Sequence, residues 1–347
     1  MKKTFFLLLA SILCLCTSNA ATTSALHTFL PLLQKHNRTT EETQQILQLF
    51  RSSKDDDIVF AAGASLVKIP PAKTHEPALF NVLLRQPDGL KQTFSAVIIT
   101  AMGSVYTELL PILQQALTSK DPVLRAYAAA AYTIINPQDE AYTSDIVRLY
   151  IFDPAFAQRA INVLQEKETS PLAYLKVAAS SSDEQVRAAA AAWLSSLHTQ
   201  AAAKQLLKMA KKETNPQAQA AIATGLASQR ENTLSAVTKG LRNKPTSPYA
   251  NTCALSLGFM TGNAVEILRQ NLLGSNTNAH INAARAAAYM ANVLSNPDAF
   301  AYSSDRTFDI HLLKGLIAPL KVLVQSGTET EKIYAENALR QIEKLME

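Results

Sequence analysis

The sequence of 347 residues predicts an all-α fold, an α-solenoid of about nine two-helix repeats. Three observations predict it. First, near-copies of one stretch recur along the chain: Asp183, Glu184, Gln185, Val186 and Arg187, then Ala188 to Ala192, Trp193 and Leu194. Second, the composition is rich in Ala, Leu and Gln, with 10 Gly and 7% aromatic residues, and no run alternates apolar and polar residues convincingly. Third, Ser, Asp, Asn and Pro stand where each helical period would begin.

The reference stretch explains why the repeats must stack. Val186, Ala189, Ala190, Trp193, Leu194 and Leu197 share one face of a helix, and Asp183 after three serines supplies a cap at the positive end of its dipole. Alanine favours the helix but buries little area, so one helix pair cannot hold itself together.

In chain order, residues 1–20 read as a signal peptide. Lys2 and Lys3 precede an apolar run from Phe5 to Cys16 that is too short to span a bilayer, and Thr17-Ser18-Asn19-Ala20 places cleavage after Ala20. Cys14 and Cys16 each follow Leu where lipoprotein processing would need a small residue. Removing the signal leaves 31 basic residues against 28 acidic ones, a mild +3, and the single cysteine Cys253. No internal disulfide is then possible, and Cys253 stands where other repeats carry Ala, the place of a small buried residue.

Residues 21–39 hold a cap helix around Leu26, Phe29, Leu30 and Leu33, and residues 40–294 hold the repeat array. Inner helices are expected to open at 57, 88, 121, 153, 183, 215, 247, 277 and 328, giving intervals of 31, 33, 32, 30, 32, 32, 30 and 51. An outer helix precedes each opening, as Tyr106 to Leu117 precedes Asp121, Ala201 to Lys211 precedes Asn215, and Ile310 to Val324 precedes Thr328. The long interval marks an insertion loop at 295–309, and residues 310–347 form a C-terminal capping repeat.

These units resemble HEAT-type repeats, in the short form of bacterial HEAT and phycobilisome-lyase-like proteins. The pattern that carries the resemblance is Asp183, Val186, Arg187 and the alanines after it, matched nearly as well by Asp121, Val123, Arg125 and Ala128 to Ala131. Other units lose the arginine, and Gln219, Asn251 and Ile281 stand at that offset. The resemblance implies a right-handed, curved superhelix whose inner helices line a concave surface. It also implies that Asp121 with Arg125, and Asp183 with Arg187, form a structural ladder between units.

Several constellations bear on function. Lys204, Lys208, Lys211 and Lys212 lie along one face of an outer helix, and Lys239, Arg242 and Lys244 follow one repeat later. Such a stripe suits an acidic partner or anionic lipid, or else is simply solvated. No aromatics interleave it for base stacking, so nucleic acid is not expected. The insertion offers Phe300, Tyr302 and Phe308 in a polar loop, a candidate partner-binding site. The six His are scattered, only His75-Glu76 forms a His-Glu step, and no phosphate loop or nucleophilic triad has a local motif, so no metal, cofactor or catalytic residue is assigned.

The sequence therefore points to an exported scaffold, periplasmic or secreted, non-catalytic and monomeric. It would engage a protein partner through the solenoid surface, near the inner-helix starts and the insertion. The alternatives are a membrane-surface adaptor using the basic stripe, or a lyase-like or hydroxylase-like HEAT enzyme.

Overall fold

The computed structural model describes residues 20–71, 80–81, 84–85, 89–102, 107–136, 139, 141–154, 157–158, 160–161, 171–296 and 306–346, and among them the regular elements are all helical. The chain divides into two units, Met1–Thr169 and Ser170–Glu347.

In the first unit, α1 (Ala20–Gln34), α2 (Thr40–Ser52), α3 (Asp56–Lys68) and α4 (Gly89–Met102) are followed by α5 (Leu110–Leu117), α6 (Pro122–Ile135) and α7 (Thr143–Phe152). Helices α3, α4 and α6 pack in one row, with α2 against α3 and both α5 and α7 against α6. The starts follow from their caps. The Asp55 carboxylate accepts from the amides of Asp57 and Ile58, and Asp121 accepts from Val123, with Pro122 in the first turn. Arg38 donates to the carbonyls of Leu33 and Ser65 at 3.1 Å each, pinning the end of the cap helix onto α3. Phe94 of α4 meets Phe50 and Phe60 edge-on at 6.3 and 5.2 Å, which joins α2, α3 and α4 through one aromatic cluster.

In the second unit the layering is continuous. The inner row is α9 (Glu184–Ser196), α11 (Pro216–Ser228), α13 (Pro248–Phe259), α15 (Thr277–Ser295) and α18 (Glu329–Met346), each packed on the next. The outer row holds α8 (Pro171–Ala178), α10 (Gln200–Ala210), α12 (Arg230–Gly240), α14 (Val265–Leu272) and α17 (Ile317–Ser326), each against its inner partner. This is an all-α, solenoid-like repeat fold. Val186, Ala189, Ala190, Trp193 and Leu194 of the face expected for the reference helix are all at most 1% exposed, while Leu197 lies just past the helix end and is half-buried.

Five expectations need correction. The inner helix expected to open at 57 is capped two residues earlier, by Asp55. Of the outer helix expected over Tyr106 to Leu117, Thr107–Leu109 is a 3-10 turn and α5 begins at Leu110. Ile310 to Val324 is not one helix: α16 (Arg306–Leu313), a 3-10 turn at Lys314–Leu316 and α17 share that span. Pro319 lacks an amide hydrogen, and its ring would clash with the carbonyl of Gly315 in an unbroken helix. Consequently residues 306–309 of the expected 295–309 loop are helical. Finally, α15 is capped one residue earlier than Thr277, because the side chain of Asn276 accepts from the amide of Ala279.

Candidate functional site

The loops leading from outer to inner helices are fixed by one repeated device. In α6, α9, α11 and α15 the side chain four residues after the cap donates to the carbonyl six residues before it. Arg125 reaches Ser119 at 2.6 Å, Arg187 reaches Ser181 at 2.9 Å, and Gln219 reaches Glu213 at 2.6 Å. His280 does the same through Nε2 to Gly274 at 2.8 Å. The earlier cap at Asn276 thus puts His280, not Ile281, at the arginine position, and Ile281 is buried as a core residue. Asn251 is too short to reach, and Arg285 of the following helix fills that place on the Pro245 carbonyl at 2.9 Å. Each donation satisfies a loop carbonyl that the helices leave unpaired.

The ladder expected from Asp183 and Arg187 takes a different form. Asp183 is used up as a cap for the amides of Gln185 and Val186, and Arg187 grips the buried Glu213 of the next repeat through two bonds, at 2.6 and 3.0 Å. Arg125 likewise faces Asp145, at 3.8 Å, rather than its own cap Asp121. His280 repeats the grip on Glu331, with Nδ1 to Oε1 at 2.6 Å. Burial alone would raise the Glu213 carboxyl. The bonds from Arg187 and from the amides of Asn215 and Thr214 outweigh it and hold the group below the usual carboxylate range. For Glu331, too, burial is outweighed, by Thr328 and His280.

Beyond these loops the inner helices of the second unit line a groove of about 550 Å³. Asn251 of α13, Arg285, Tyr289 and Asn292 of α15, and Tyr334 and Asn337 of α18 face into it, and none of its lining residues is acidic. Its walls are pre-set by side-chain bonds. Asn251 donates to Gln219 at 3.0 Å and accepts from the Tyr289 hydroxyl at 3.1 Å. The Arg285 guanidinium lies 5.0 Å from the Tyr334 ring centre and donates to that tyrosine's hydroxyl at 3.0 Å. Arg285 has no carboxylate partner among the described residues. Asn292 and Asn337 are exposed, and no hydrogen bond from either side-chain amide occurs among the described residues. Gly258 permits this packing: a Cβ there would stand 2.7 Å from that of Tyr289.

The other residues singled out by sequence fall elsewhere. Lys204 and Lys208 are exposed on α10, and Lys211 and Lys212 follow at its end. Lys208 and Lys212 border a cavity of about 340 Å³ with Ser180, Ser181 and the Arg187–Glu213 pair. Trp193 is 0% exposed and is a packing residue rather than a platform. Phe308 is 56% exposed on α16, while Phe300, Tyr302 and the His75-Glu76 step lie outside the described residues. Cys253 is fully buried, and burial pushes its thiol up to about 12. The described residues contain no group of three or more His, Cys, Asp or Glu able to hold a metal ion.

The groove was only half legible beforehand. The sequence singled out the inner-helix starts in general, and Asn292 and Asn337 sit deeper in long helices and carry no sequence signal.

No family model matches this sequence, and no curated protein matches it. Solved structures with similarity include an engineered protein, 18% identical over 91% of this chain and 98% of that one, with a TM-score of 0.27. Human deoxyhypusine hydroxylase, solved in complex with glycerol, is 16% identical over 88% of this chain and 97% of that one, with a TM-score of 0.29. A second engineered protein is 15% identical over 94% of this chain and 100% of that one, with a TM-score of 0.20. Likenesses this distant bear on neither the site nor the function.

Proposed function

We propose that this chain is an exported, non-catalytic binding protein of the HEAT-like class, and that the inner groove of the second unit holds a segment of a protein partner. The observation that carries the reading is the composition of the groove. Unspent amides at Asn292 and Asn337, two tyrosines and an arginine without a carboxylate partner converge on an open channel about 550 Å³ in volume. Amides serve as donor and acceptor for a peptide backbone, tyrosines add contact area at low entropic cost, and Arg285 favours an acidic residue in the partner. Nucleophile, base and oxyanion donors are not gathered there, so recognition rather than turnover fits the arrangement.

Export rests on the N-terminal charge and apolar pattern. Among the described residues no helix is long and apolar enough to cross a membrane. The test is affinity capture from the native envelope and secreted fractions. Asn292→Ala/Asn337→Ala is expected to lose the protein retained by the unaltered chain, while Phe308→Ser keeps it. Equal retention by the groove variant would overturn the reading.

A further inference from the structure

A second surface lies on the edge of the second unit where outer helices hand over to inner ones. The end of α8 presents Lys176 and Val177, both exposed. The end of α10 presents Lys208, Lys211 and Lys212, and that of α12 presents Lys239, Arg242 and Lys244, all exposed. These ends form one band. Helix α8 packs on α10, and α10 on α12. The Lys211 ammonium lies 5.9 Å from the centre of the Tyr249 ring, in the first turn of α13. The loop after α12 is joined to the first turn of α15 where Asn278 donates to the Arg242 carbonyl at 3.3 Å. Leu273, 57% exposed, stands in the loop that leads into that same turn.

From the end of α10 to the end of α12 the band is basic. Between Lys204 and Lys244 the only acids are Glu213, buried and held by Arg187, and Glu231, at the opposite end of α12. Half-buried Asp183 and exposed Glu184 stand at the handover from α8 to α9, at the Lys176 end of the band, and exposed Glu329 opens α18 beyond its other end. Among the described residues none of the cations in the band is in an ion pair. Two exposed aliphatic side chains flank it, Val177 at 68% and Leu273 at 57%.

We infer that this edge docks on the headgroup layer of an anionic phospholipid bilayer. Long, mobile ammonium and guanidinium groups adapt to a fluid array of phosphates, and each such cation near the surface strengthens binding roughly fivefold. The flanking aliphatics supply what a purely solvated charged face lacks, apolar tips able to enter the interface. Folded acidic proteins would instead call for fixed, partly buried cations set by neighbouring side chains, and the cations here are exposed and unpaired. The inference does not rest on the groove, whose lining reaches the band only through the loop residues Pro245 to Ser247 after Lys244.

Sedimentation of the full-length mature chain with vesicles tests it. Vesicles of phosphatidylglycerol and phosphatidylcholine are expected to bind the protein at low salt, and pure phosphatidylcholine is not. Binding should fall steeply as ionic strength rises through several hundred millimolar. Lys211→Glu/Lys212→Glu/Arg242→Glu/Lys244→Glu should reduce partitioning more than about a hundredfold. Val177→Ser/Leu273→Ser should lower the binding that survives in salt several-fold. All six positions are exposed, and an unchanged melting temperature verifies that the variants fold. No binding to the anionic vesicles, or equal binding by the charge-reversed variant, would overturn the inference. Tight binding of polyglutamate without vesicle binding would overturn it in favour of an acidic polypeptide.

Discussion

At the residue scale, two buried carboxylates, Glu213 and Glu331, form joints between repeats. Arg187 is 20% and Glu213 5% exposed at the side chain, and their bidentate contact links consecutive units. Arg187→Ala leaves the carboxylate buried without its partner, so a loss of about 3 kcal/mol is expected in denaturant titration. The pH dependence follows from the direction of the Glu213 shift. Its folded-state carboxyl is held below the ordinary value of 4.5, so its contribution is complete at neutral pH and is lost as pH falls below about 5 through the folded value. Glu213→Gln should be less stable at pH 7, and the acid-induced fall in its melting temperature should be shallower. Cys253 belongs to the same scale. With no exposed surface and a thiol pushed up to about 12, it should not react with an aromatic disulfide reagent in the folded protein and should react fully in denaturant. A fast native reaction would mean that α13 opens readily.

At the element scale, α3, α6, α9, α11, α13 and α15 begin at a side-chain cap, whereas α5, α7, α12, α14 and α17 begin without one. Asp121, Asp183, Asn215 and Ser247 all cap as their spacing implies, whereas the opening expected at 57 is capped two residues earlier by Asp55. Two failures are instructive. A one-residue shift to Asn276 was hidden because Asn276 and Thr277 are both good caps, and only the packing of α15 chooses between them. The break before α17 was hidden because the apolar period continues through it, although Pro319 signals a discontinuity. The approach of α13 to α15 depends on Gly258. Gly258→Ala should separate those helices, displace Tyr289 and cost about 1–3 kcal/mol, measurable as a lowered melting temperature. If partner capture weakens beyond what that loss explains, Tyr289 is also a contact.

At the scale of the whole molecule, two units each build rows of helices from local sequence periods, and the groove and the basic edge both belong to the second. Both surfaces reach a partner outside the cytoplasm only if the first twenty residues direct export. The mature protein is expected to begin at Ala21, which intact-mass measurement of the secreted or periplasmic fraction checks. Recovery of the chain in the cytoplasm with Met1 retained would remove export from the reading.

The sequence by itself determined the all-α class, the repeat length, the caps of α6, α9, α11 and α13, the burial of the alanine faces and the basic stripe. It could do so because helix period, capping and burial are local properties, written within a window of about thirty residues. Tertiary structure alone decided which acid each arginine meets, that His280 stands in for an arginine, and that Asn251, Tyr289, Arg285, Tyr334 and two unspent asparagines share one groove. Those residues come from helices tens of positions apart in sequence, and only the stacking of successive helices brings them to one groove. Of the insertion, tertiary structure decided that its end is helical and presents Phe308 to solvent. That outcome depends on the packing of α16 against α15 rather than on the loop's own composition.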